Sequence, residues 1–193
     1  KEKRPAHLFA YALLIAAAAF VCHRNLDPDE NPRAMAYYNL AVSLERDGTP
    51  EKAAFYYQKA LESKPDYVQA HINLGVLLAN HGDLDAATSH YREALRIKPD
   101  NSVAYNNLGN ALSARGDLAA AADCLTLAVA AEPDNAIFHN NLARILAKQG
   151  KRTEAERHYR LALQIQPDLP QAQKGLADAL ERKKKPTVSG QAW

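Results

Sequence analysis

An all-α solenoid of four stacked helix pairs is the fold class this chain predicts, and three observations carry it. Pro65, Pro99, Pro133 and Pro167 stand 34 residues apart. The residues ahead of each repeat one pattern from Ala34 to Leu169 without an insertion. Inside each period, apolar residues three and four apart mark one helical face before a glycine and a second one after it.

Aligned on the prolines, the units are residues 34–67, 68–101, 102–135 and 136–169. A ring residue opens each first helix (Tyr37, His71, Tyr105, His139), followed by Leu40, Leu74, Leu108 and Leu142, a small residue (Ala41, Gly75, Gly109, Ala143), and Leu44, Leu78, Leu112 and Leu146. Glycine interrupts at Gly48, Gly82, Gly116 and Gly150. The second helix carries Ala53, Ala87, Ala121 and Ala155, then Tyr57, Tyr91, Leu125 and Tyr159, then Ala60, Ala94, Ala128 and Ala162. This pattern resembles the tetratricopeptide repeat family, which builds one antiparallel helix pair per period. The resemblance implies a right-handed α-solenoid whose first helices line a concave face.

Physical chemistry supports the same reading. Small residues are expected where paired helices cross, because bulk there would push the axes beyond the usual separation. The glycines can take positive φ after the first helix, and the Pro-Asp pairs end the second. A single pair cannot bury its apolar face, so neighbours must stack, and four units exceed the minimum of three. From Pro170 the first-helix pattern restarts with Leu176, Ala177 and Leu180 and runs into Glu181 to Lys185 without a second helix. Residues 170–185 are therefore expected to be a polar capping helix. Residues 186–193 have no period and are expected to be a disordered tail, and residues 25–33 read as a linker rich in Asn, Asp and Pro.

Residues 1–24 are of another kind. Pro5 to Cys22 contains no Lys, Arg, Asp or Glu. As a helix it would span roughly 27 Å, enough to cross a bilayer. Leu8, Phe9, Leu13, Leu14, Ile15, Phe20 and Val21 favour insertion by roughly 2–4 kcal/mol. The segment is expected to anchor the chain in a lipid bilayer as a transmembrane helix. A signal peptide and a buried soluble helix are the competing readings. Lys1, Lys3 and Arg4 before the span, against Arg24 and Arg33 after it, lean towards a cytoplasmic N-terminus and repeats on the periplasmic side.

Composition narrows function by exclusion. A net charge of +2 without a basic stripe interleaved with aromatics gives no nucleic-acid footprint. Cys22 and Cys124 fall too far apart in the expected fold to pair. The glycines lie singly rather than in a phosphate loop, and no nucleophile, base and orienting group assemble, so no catalysis, cofactor, metal or small-molecule substrate is expected. His71 and His139 stand in the ring column and read as packing residues, while His81 and His90 fall on a turn and the helix after it.

The partner, then, is expected to be protein. The residue before each first Leu is Asn39, Asn73, Asn107 or Asn141, an uninterrupted column of amides. Each amide can donate and accept, so the column can pair with an extended peptide backbone without reading its side chains. It is similar to the asparagine ladder in the superhelix of O-linked N-acetylglucosamine transferases. Packing or solubility is the competing role. Beside the column, Met35, Tyr38, Val42, Ile72 and Val76 make the first part apolar. Val103, Asn106 and Asn110 make the middle mixed, Arg144, Lys148 and Lys174 make the last part basic, and Asn140 is also expected to line the groove. Family members that clamp the terminal carboxylate of chaperones use Lys, Asn and Arg at positions that here hold Tyr38, Val42, Val103 and Asn107. Such an adaptor is therefore not expected.

These readings converge on a membrane-anchored scaffold, a subunit or assembly factor of a bacterial membrane complex that holds an extended segment or a flat surface of another protein. Two alternatives stay open. One is the C-terminal part of a multispanning enzyme such as a glycosyltransferase, and the other is a soluble homo-oligomeric adaptor.

Overall fold

The computed structural model describes residues 31–184. The expected anchor, the linker before Asn31 and the tail from Pro186 lie outside the described residues. Described residues form nine α-helices and no strand, in the order α1 Pro32–Arg46, α2 Pro50–Ser63, α3 Val68–Asn80, α4 Leu84–Ile97, α5 Ser102–Ala114, α6 Leu118–Ala131, α7 Ala136–Lys148, α8 Arg152–Ile165 and α9 Pro170–Lys184. Among them, none is long and apolar enough to cross a membrane.

Local chemistry sets the boundaries. Asn31, Asp83, Asn101, Asp117 and Asn135 cap their helices by accepting a backbone N–H of the first turn. Asn31 with Pro32 at the first helical position starts α1 two residues earlier than the period alone indicates, which shortens the expected linker. Each first helix ends at its glycine, where Gly82 and Gly116 take φ of +86° and +90°. The next residue then reaches back, as Asp83 N–H does to the Leu78 carbonyl at 2.9 Å, which closes the helix end.

Burial follows the columns of the repeat. Ala53, Ala60, Ala87, Ala94, Ala121, Ala128, Ala155 and Ala162 are all at 0% exposure, and Tyr57, Tyr91, Leu125 and Tyr159 are buried beside them. At Gly75 an added Cβ would stand 2.6 Å from the Tyr91 ring, so this crossing is as close as glycine permits. Each helix pairs with its partner and then with the next repeat. From the second repeat on, successive first helices also touch one another (α3 with α5, α5 with α7, α7 with α9), and successive second helices make no comparable contact. The row of first helices is therefore the inner, concave side of the stack.

Candidate interaction groove

Helical spacing arranges the concave face in short rows. Residues four and seven apart share a face, so Met35, Asn39 and Val42 form one row, Val103, Asn107 and Asn110 another, and Ile137, Asn141, Arg144 and Lys148 the last. Met35, Val103 and Ile137 occupy the same repeat position and are 42%, 45% and 53% exposed. Each stands one turn ahead of an asparagine of the column. This places apolar side chains and amides together on an open surface.

The four amides are not equivalent. Asn73 donates its Nδ2 hydrogens to the hydroxyls of Tyr38 and Tyr57, both at 3.1 Å. Asn141 donates to Asn106 Oδ1 at 2.8 Å, and Asn106 donates to Asn107 Oδ1 at 3.3 Å. The bonds to Tyr38 and to Asn106 tie one first helix to its neighbour, the bond to Tyr57 reaches the preceding second helix, and the Asn106–Asn107 bond stays within one helix. Asn39 is exposed and has no hydrogen-bond partner among the described residues, and Asn107 keeps both its donors available. The column thus serves partly as a seam between repeats and partly as open surface.

The adjoining column behaves differently from its expected place on the groove. Ile72, Asn106 and Asn140 are 8%, 8% and 9% exposed, so they are turned away from solvent. Ile72 packs with Ala94 and Ala104. Tyr38 is half-buried, and its ring packs at a tilt against those of Tyr57 and Tyr67. Arg144 is exposed and donates Nη2–H to Asn110 Oδ1 at 2.7 Å, and Lys148 lies 3.5 Å from Ser113 Oγ. Lys174 is exposed on α9. All three cations are thus exposed, with Arg144 held in place from the preceding repeat.

Two histidine pairs were not apparent from the sequence reading. His71 and His90 approach Nδ1 to Nδ1 at 2.9 Å, and His139 and His158 at 3.0 Å. His71 donates Nε2–H to the Pro65 carbonyl at 2.9 Å, and His139 does so to Pro133 at 2.8 Å. A carbonyl only accepts, so in the neutral pair the inner ring's Nδ1 must accept from the outer ring. Burial first, then the facing ring, holds His90 and His158 below the ordinary imidazole range. The signal was available in paired columns, since positions 37/56, 71/90, 105/124 and 139/158 read Tyr/Tyr, His/His, Tyr/Cys and His/His. Among the described residues, no three His, Cys, Asp or Glu side chains gather as a metal site.

A curved stack of amphipathic helix pairs, with an open face of amides and apolar groups, defines an α-solenoid of the interaction type. Family models described as tetratricopeptide repeat match residues 54–102 and 106–170, and residues 34–67. The chain belongs to the tetratricopeptide repeat family. Among curated proteins, no relative matches it. Several solved structures share the fold. A MamA fragment from Desulfovibrio magneticus RS-1 is similar at a TM-score of 0.73 and 22% identity, over 80% of this chain and 87% of that one. YrrB, a tetratricopeptide protein with an unusual peptide-binding site, is similar at 0.69 and 20% identity, over 88% and 84%. PilF from Pseudomonas aeruginosa is similar at 0.72 and 25% identity, over 79% and 69%.

Proposed function

We propose that this protein is a non-catalytic scaffold, anchored in a membrane through residues 5–22, that binds an extended segment of another protein along its concave face. The observation that carries the groove is the conjunction of exposed Met35, Val103 and Ile137 with the amides one turn further on. Leaving such side chains in water costs free energy, and a backbone laid across them would satisfy the open amides of Asn39 and Asn107 while covering the apolar rows. A peptide-binding site in YrrB is consistent with this use of the fold. The anchor rests on the charge-free stretch from Pro5 to Cys22, and the excess of Lys and Arg ahead of it favours repeats on the periplasmic side. Anchoring would raise the effective concentration of a partner in the same bilayer.

The test is purification of the full chain from its own membranes in mild detergent, with mass spectrometry of what accompanies it. A stoichiometric membrane partner that is lost from an Asn39→Ala/Asn107→Ala variant of unchanged thermal stability is the expected result. Retention of that partner by the variant would remove the groove from the account. Recovery of the full chain in the aqueous phase without detergent would remove the anchor.

A further inference from the structure

One recess recurs at successive junctions between repeats, and its copies are filled differently. Its floor is the residue at one repeat position, Tyr57, Tyr91, Leu125 or Tyr159. At the first junction the chain fills the recess itself. Tyr57 donates its hydroxyl hydrogen to the Glu45 carboxylate at 2.9 Å, while Asn73 donates to the Tyr57 oxygen at 3.1 Å. The first copy therefore shows that a carboxylate fits over this tyrosine.

Three periods further on, between α7, α8 and α9, Ala147 stands in the place of Glu45 and Gly175 in the place of Asn73. Both filling groups are gone. A cleft of about 460 Å³ opens there, lined by Arg144, Lys148, Arg152, Tyr159, Gly175 and Asp178 among others. Tyr159 lies directly on the glycine, since a Cβ at Gly175 would come within 2.3–2.7 Å of the Tyr159 ring and hydroxyl. At the second junction, where Ala79 also replaces the glutamate but Asn107 keeps the amide, the recess is about 260 Å³ and no charged residue lines it. Cations gather at the last junction.

Charge there is unbalanced, with Arg144, Lys148 and Arg152 facing one carboxylate, Asp178. Asp178 forms no hydrogen bond or ion pair among the described residues, and neither does Arg152. Arg144 and Asp178 both lie near enough to the Tyr159 hydroxyl to act on its ionisation, with burial the larger influence. The chain has thus lost the carboxylate that Glu45 supplies at the first junction, and three cations and the single carboxylate of Asp178 surround the vacated space.

We propose that the cleft receives a Glu or Asp side chain of the extended segment bound in the groove, its carboxylate accepting from the Tyr159 hydroxyl and from the Arg144 and Arg152 guanidinium groups. This rests on the groove reading above and gives that segment a polarity, with its acid at the α9 end. Bidentate guanidinium donors suit a carboxylate, and the Tyr57–Glu45 pair supplies the template.

The experiment uses the full chain and a random peptide library displayed without free C-termini. Enriched peptides are expected to share an acidic residue whose change to the amide weakens binding about tenfold. Ala147→Glu, which restores the chain's own carboxylate, is expected to abolish their binding and to raise the melting temperature of the free protein by about 2–4 °C. Tyr159→Phe should cancel that rise. Peptides that need Asn39 and Asn107 but are indifferent to their own acid and to Ala147→Glu would overturn the carboxylate site and spare the groove. Failure to select any peptide sensitive to Asn39→Ala/Asn107→Ala would overturn both. A dimer that Ala147→Glu dissolves would assign the cleft to a second copy and overturn the assignment to a partner segment. An unchanged melting temperature in Ala147→Glu would show that the recess does not hold a carboxylate.

Discussion

Replacing Asn73 with Ala should destabilise the solenoid, whereas the same change at Asn107 should not, although both residues occupy the same column. Asn73 donates two hydrogen bonds of 3.1 Å, one to Tyr38 on α1 and one to Tyr57 on α2, so it joins the second repeat to the first. At a net 0.5–1.5 kcal/mol each the two bonds are worth roughly 1–3 kcal/mol. Asn73 is only half-buried, so water recovers part of this, and Tyr57 keeps its bond to Glu45 at 2.9 Å. A loss of about 1–2 kcal/mol follows, which in a chain of this size lowers the melting temperature by roughly 2–8 °C. Asn107 accepts a single long bond of 3.3 Å, and Ala is the better helix former, so its change should stay within about 0.5 kcal/mol. Urea titration of both variants followed by circular dichroism at the helix band measures the difference. Coupling of Asn73→Ala with Tyr57→Phe in a double-mutant cycle then locates it. Equal stabilities for the two variants, or no coupling to Tyr57, would refute the division of the column into seam and open surface.

Three further outcomes follow from the geometry. Acid should weaken the fold through the histidine pairs: in the unfolded chain the imidazoles take up protons as pH falls through the ordinary value of 6.5, while folded His90 and His158 resist to lower pH. The unfolded state then binds more protons, so this contribution is complete above about 6.5 and is lost below it, and melting curves between neutral and mildly acidic pH should show the loss diminished in a His71→Tyr/His90→Tyr variant. Gly116→Ala should cost about 1–2 kcal/mol by denaturant titration, since φ is +90° and nothing lies near the added Cβ, so backbone strain alone is measured. Leu74→Ala should cost about 2–5 kcal/mol, because Leu74 is at 0% exposure in the core shared by the first two repeats.

Much of the architecture is legible residue by residue. The alanine columns read as helix crossings because only a side chain of that size suits the spacing, and all eight are fully buried. The asparagine column reads as one helical face, and Asn39 and Asn107 stay open on it. Ile72, Asn106 and Asn140 read as groove residues for the same reason, yet they are buried against neighbouring helices. The helical period shows which residues share a stripe, but the angle at which the next repeat is laid down decides how much of that stripe stays wet. The bonds that distinguish one amide from another span 35 residues, as from Asn73 to Tyr38 and from Asn141 to Asn106.

Sequence alone therefore determined the repeat, the helix ends, the small residues at crossings and the face of each first helix that carries the asparagine column, because these depend on backbone sterics and on a period of a few residues. Tertiary structure decided which amides are spent on the seam, that His71 meets His90 and His139 meets His158, and that the last junction lacks the carboxylate that Glu45 supplies to the first. Those outcomes depend on the offset between stacked repeats, and that offset is a property of the packed interface rather than of any one helix.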